Sequence, residues 1–113
     1  MNDVLRPPVE VLYQKELELL KKTDDRPKPP NWELSPWAVV LFLMGGKIGK
    51  NKEIEPKYFG DRRLIELAVS TLVTDRALLL TGIPGTAKTW VAENLAAAIS
   101  GDSRLLVQGS AGL

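Results

Sequence analysis

Residues 77–95 read ALLLTGIPGTAKTWVAENL, and the reading of this stretch decides the fold. Ala77, Leu78, Leu79 and Leu80 form a continuous apolar run rather than an alternating one, the pattern of a parallel strand covered on both faces. Gly82, Pro84 and Gly85 then interrupt it, and beyond Lys88 the apolar residues Val91, Leu95, Ala98 and Ile99 recur at helical spacing. The expected order is strand, loop, helix. A loop of this kind wraps backbone N–H groups around an anion and holds it at a helix N-terminus, where unpaired amides and the helix dipole favour negative charge.

Each residue of the loop has a chemical reason to be there. Gly82 and Gly85 allow backbone angles and a close approach that a side chain forbids, and the amides from Gly85 through Thr86, Ala87, Lys88 and Thr89 would face phosphates. Lys88 would reach the β- and γ-phosphates as a compact cation, and the Thr89 hydroxyl would be a ligand of the Mg²⁺ that bridges them. The strict phosphate-loop pattern asks for Gly where this chain has Ala87. A methyl group there is a small intrusion if the backbone is already helical, since Ala is the best helix former. The bland alternative is a surface turn in which Gly and Pro only punctuate and Lys88 is solvated.

GIPGTAKT, with Pro84 after Ile83 and Ala87 before Lys88, resembles the phosphate loop of AAA+ ATPases of the MoxR type. The resemblance runs upstream into EPKYFGDRRLIELAVSTLVTDRALLL and downstream into LAAAISGDSRLLVQGSAGL, so it covers roughly residues 54–113. It implies an α/β fold, the start of a P-loop NTPase (AAA+) three-layer αβα arrangement, incomplete and preceded by an N-terminal helical segment. On this reading residues 1–31 are an amphipathic helix and a Pro-rich linker, and residues 32–113 are the N-terminal part of the ATPase domain, with the phosphate loop at 82–89. In AAA+ proteins a hydrophobic pair, a Gly and a polar residue line the adenine pocket, and Tyr58, Phe59, Gly60 and Asp61 match that arrangement. The implied cofactors are ATP and Mg²⁺. Their expected contacts are those four residues with Gly82, Pro84, Gly85, Thr86, Ala87, Lys88, Thr89 and Trp90; Lys88 is the catalytic candidate and Thr89 the metal ligand.

Hydrolysis in this class also needs an acidic residue at the end of another buried strand and a Glu that orients water. After Thr89 the acids are Glu93, on the loop helix, and Asp102, in a turn, so neither follows an apolar strand. The resemblance therefore implies the N-terminal fragment of an ATPase whose parent assembles into a ring, expected to be hexameric, and remodels a protein partner. An isolated fragment is expected to be poorly folded or merely helical, because its two strands would lack sheet partners. Two other classes stay open. One is a P-loop kinase of a small molecule or nucleotide, although such loops usually keep Gly at position 87 and open nearer the start of the chain. The other is a non-hydrolysing module that binds nucleotide or docks on a partner.

Composition narrows the chemistry. Lys and Arg number 15 against 14 acidic residues, and a net charge of +1 gives no support to polyanion binding driven by bulk electrostatics, so no nucleic-acid partner is expected. With no Cys and no His, disulfides, the usual zinc sites and His-based acid–base chemistry are excluded within this sequence. MNDVLRPPVEV has no long apolar core and does not read as a secretory signal, so a cytoplasmic chain is expected.

The remaining segments take their form from local signals. Val9, Leu12, Tyr13, Leu17 and Leu20 share one face of a helix expected over 9–22, which would pack on its own domain or dock on a neighbour. TDDRPKPPN, 23–31, is an extended spacer, since its prolines forbid helix. Ser35 and Pro36 start a helix and Gly45 and Gly46 stop it. Trp37 to Met44 is apolar throughout but far shorter than the ~20 residues a bilayer span needs. It is either buried or an exposed patch awaiting a partner. KIGKNK, 47–52, reads as a solvated basic loop. Asp61 caps a helix over 62–73, the loop helix ends near Ser100 before Gly101, and Leu105, Leu106 and Val107 form a second expected strand.

Overall fold

The computed structural model of the protein describes residues 7–48, 52–74 and 85–102. They form helices α1 (Val9–Leu12), α2 (Gln14–Thr23) and α3 (Pro36–Met44), strands β1 (Gly46–Ile48) and β2 (Lys52–Ile54), and helices α4 (Arg62–Val73) and α5 (Gly85–Ser100). The strands expected at 77–80 and around 105–107, with Gly82 and Pro84 of the loop, lie outside the described residues. Among the described residues the fold is helical with one two-stranded sheet, compatible with part of a P-loop NTPase fold.

Helix α3 is the centre. It packs against α2, α4 and α5, and buries Ala38, Val39, Val40, Phe42 and Leu43. A helix apolar on all sides is stable only when neighbours cover it, and the question of burial or exposed patch is answered in favour of burial, with Leu41 and Met44 partly buried and Trp37 the exposed residue of the helix. Its start is fixed by Ser35, whose Oγ accepts from the Ala38 N–H at 3.2 Å, and by Pro36 at the first helical position. Its end is fixed by Gly45 at φ +80, where a Cβ would come within 2.7 Å of the Pro56 nitrogen.

The first helix is broken. One helix was expected over 9–22, but Tyr13 leaves helical geometry at φ −115 and separates α1 from α2. Its ring meets Phe42 edge-on at 6.0 Å and Trp90 at 6.3 Å. Val9, Leu17 and Leu20 are buried as expected, whereas Leu12, assigned to the same face, is 44% exposed. The Pro-rich stretch that follows is non-helical, as expected, but turns at its end, where Trp32 N donates to Pro29 O at 3.1 Å, and it is anchored: buried Asp24 accepts from Ser35 N at 2.7 Å and Ser35 Oγ at 2.8 Å.

The segment read as a basic loop is instead a hairpin. Antiparallel pairing sets Gly46 opposite Ile54, Lys47 opposite Glu53 and Ile48 opposite Lys52. Ile54 is fully buried, which gives the hairpin an inner face. The hairpin returns the chain to the C-terminal end of α3, where Leu43 O accepts from Lys57 N at 2.8 Å and Tyr58 N at 3.1 Å. Helix α4 then begins at Asp61, whose carboxylate accepts from Arg63 N at 2.9 Å.

Because Asp24 holds the buried Ser35 N–H, Asp24→Ala should cost about 1–3 kcal/mol by leaving that donor unpaired. The exposed neighbour supplies the control: Asp25→Ala should leave the urea midpoint unchanged, and equal midpoints for both variants would show that the anchor is idle.

Candidate functional site

Helix α5 begins at Gly85, and Lys88 and Thr89, in its first turn and just beyond, are both exposed to solvent. Their exposure presents an ammonium and a hydroxyl at the positive end of a helix of 16 residues. Gly85, Thr86 and Ala87 are helical, which agrees with the view that Ala87 needs no special backbone angle. From Val91 onward the helix turns inward: Val91, Ala92, Asn94, Leu95, Ala96, Ala97 and Ala98 are buried.

Trp90 is the bridge to the second group of candidates. Its indole Nε1 donates to the Lys57 carbonyl at 2.8 Å, which ties the start of α5 to the chain just ahead of Tyr58, Phe59, Gly60 and Asp61. Tyr58 is half-buried and its ring lies over Gly60, where a Cβ would fall 2.1 Å from the Tyr58 hydroxyl oxygen; any side chain at 60 would displace the ring. Phe59 is 86% exposed, an open apolar surface of the kind a planar base can cover. Asp61 spends one carboxylate oxygen on the α4 cap.

Lys57 itself was not among the expected site residues. Its side chain is fully buried, with Nζ against Glu16 Oε1 of α2 and lying 3.9 Å from the Phe42 ring centre and 4.4 Å from that of Tyr13. Burial pushes the Lys57 ammonium below its ordinary value of 10.5, while the hydrogen bond and charge of Glu16 and the charge of Glu55 pull it up. No sequence signal marks it, since its partner lies 41 residues away.

These residues fit a nucleotide with its magnesium ion in their chemistry. A cation and a hydroxyl stand exposed at a helix N-terminus, and an exposed aromatic precedes a glycine over which the Tyr58 ring lies.

Residues 77–113 match the family model of the AAA domain (dynein-related subfamily). Over 110 residues, 97% of this chain, the sequence is 44% identical to the uncharacterized protein YehL of Escherichia coli (strain K12), and the chain spans 30% of the length of that relative. No solved structure matches the chain significantly. The family match supports a nucleotide-binding AAA module, and the relative extends the similarity back through the helices that carry no phosphate-loop motif. No helix among the described residues is long and apolar enough to cross a membrane.

The lowered Lys57 value has a sign that can be tested. The unfolded chain keeps the lysine proton to higher pH than the folded one, so stability rises with pH between the lowered value and 10.5, with a slope of at most about 1.4 kcal/mol per pH unit. Melting curves of wild type and Lys57→Met across this alkaline window should show the difference moving in favour of the wild type as pH rises. Movement the other way would mean that Glu16 and the two rings outweigh burial.

Proposed function

We propose that this chain binds ATP with Mg²⁺ as part of an AAA+ ATPase of the MoxR type. The single observation that carries the reading is the phosphate-loop sequence running into α5, with Lys88 and Thr89 exposed at the helix start. The family match over residues 77–113 supports it.

On this reading Lys88 neutralises charge on the β- and γ-phosphates, amides from Gly85 through Thr89 hold phosphate oxygens, and the Thr89 hydroxyl is a magnesium ligand. Gly82 and Pro84 shape the entry to the loop, Tyr58, Phe59, Gly60 and Asp61 receive the base, and Trp90 fixes the helix against them. The magnesium ion, when bound, offsets phosphate charge. Hydrolysis belongs to the parent protein, since the acidic pair that places the metal and water is absent from this sequence. There, ATP turnover in a homo-oligomeric, hexameric ring would drive remodelling of a protein client in the cytoplasm. The kinase alternative is less well supported, because Ala87 replaces the Gly such loops usually keep and the loop opens only at residue 82.

Titration with a fluorescent ATP analogue and Mg²⁺ tests the site. Lys88→Ala should abolish saturable binding, and Thr89→Ala should retain metal-free binding but lose the gain that Mg²⁺ brings. Unchanged affinity in Lys88→Ala would remove the assignment.

A further inference from the structure

Lys57 is adjacent to the expected base-binding residues, and its main chain is gripped from two sides. Its N–H, together with that of Tyr58, donates to the Leu43 carbonyl at the end of α3, and its own carbonyl accepts the Trp90 indole N–H from α5. Its side chain runs in a third direction, into a cage formed by Tyr13, Phe42 and Glu16. Glu16 holds this segment twice: Oε1 takes the Lys57 ammonium and Oε2 accepts from Glu55 N at 3.2 Å.

We infer that Lys57 is a positioning residue for the base-binding end of the nucleotide site, and that Glu16 of α2 is the group that holds it there, so that the docked N-terminal helix sets the affinity for the base. The inference rests on the nucleotide reading above and deepens it.

The physical reasoning starts from the cost of an ammonium buried without a counter-charge. Without the Glu16 carboxylate, the ammonium keeps no ion-pair partner among the described residues and feels only the charge of Glu55, so the Lys57 side chain is driven to lose its proton or to swing out of the cage to water. Swinging out rotates the peptide units on both sides of Lys57, which loosens the bonds to Leu43 and Trp90. Tyr58 follows, because it is the next residue and its own N–H shares the Leu43 carbonyl. The Tyr58 ring then no longer lies over Gly60, and the surface offered by Phe59 moves with the backbone between them. The Lys88 and Thr89 side chains take part in none of these contacts; both are exposed on α5, whose own helical hydrogen bonds hold their backbone when the Trp90 bond loosens. Loss of Glu16 therefore acts on the base end of the site and spares the phosphate end.

Calorimetric titration of the full chain with two probes separates these ends: MgATP, which has a base, and magnesium tripolyphosphate, which does not. Glu16→Gln should weaken MgATP by about fivefold or more, a normal size for coupling between sites, and leave tripolyphosphate affinity unchanged. The double variant Glu16→Gln/Lys57→Met should regain MgATP affinity over Glu16→Gln alone, because an apolar side chain of similar length stays in the aromatic cage and needs no carboxylate. Equal loss of both probes in Glu16→Gln, no loss of MgATP, or no recovery in the double variant would overturn the inference. The nucleotide reading has its own control: if wild type binds both probes and Lys88→Ala binds neither, that reading stands whatever Glu16→Gln does. A wild-type chain that binds neither probe overturns both.

Discussion

An ammonium group shut away from water must be given a carboxylate, and Lys57 receives one from a helix 41 residues earlier in the chain. This single requirement decides where α2 lies. With Glu16 opposite Lys57, the Tyr13 ring falls beside Phe42 and Trp90, and the buried residues Leu17 and Leu20 follow on the same side of the helix. The ammonium also faces the Phe42 and Tyr13 rings, whose negative π faces partly replace lost hydration. Three helices and the chain ahead of α4 thus meet around one side chain and its main-chain amide and carbonyl.

Helix α3 is the complementary constraint. It has no polar face to offer water, so the structure must enclose it on several sides, and α2, α4 and α5 do so. The Pro-rich segment contributes by holding the helix start: Asp24 pairs with Ser35, and Ser35 in turn caps the helix. At the other end, Gly45 turns the chain into the hairpin, whose length returns Lys57 and Tyr58 to the Leu43 carbonyl.

What the sequence disclosed and what it withheld divide along the range of the interactions involved. The bounds of α3, α4 and the end of α5 were legible because their signals are local: Ser35 with Pro36, Gly45, Asp61 and Gly101 each act within one helical turn. Lys88 and Thr89 stood out as candidates for the same reason, since the motif that singles them out is contiguous, and the structure shows both exposed on α5. The break at Tyr13 was not, because it is fixed by rings on α3 and α5. The hairpin at 46–54 was hidden by a Gly- and Lys-rich stretch without clear alternation, and its inner face rests on Ile54 alone among its fully buried residues. Lys57 was the largest omission at the site. A lysine between Pro56 and Tyr58 reads as solvated, and only the folded chain brings Glu16 to it.

The candidate site joins these two kinds of information through helix geometry. Successive residues on α5 are rotated by about 100°, so the turn that leaves Lys88 and Thr89 in solvent carries Trp90 toward the core and Val91 into it. The outward residues need only the helix to exist. The inward one needs a carbonyl to receive its N–H, and that carbonyl belongs to Lys57. The turn that carries the phosphate-loop motif is thereby fastened to the segment proposed to receive the base, and the fastening passes through the residue that most depends on the rest of the fold.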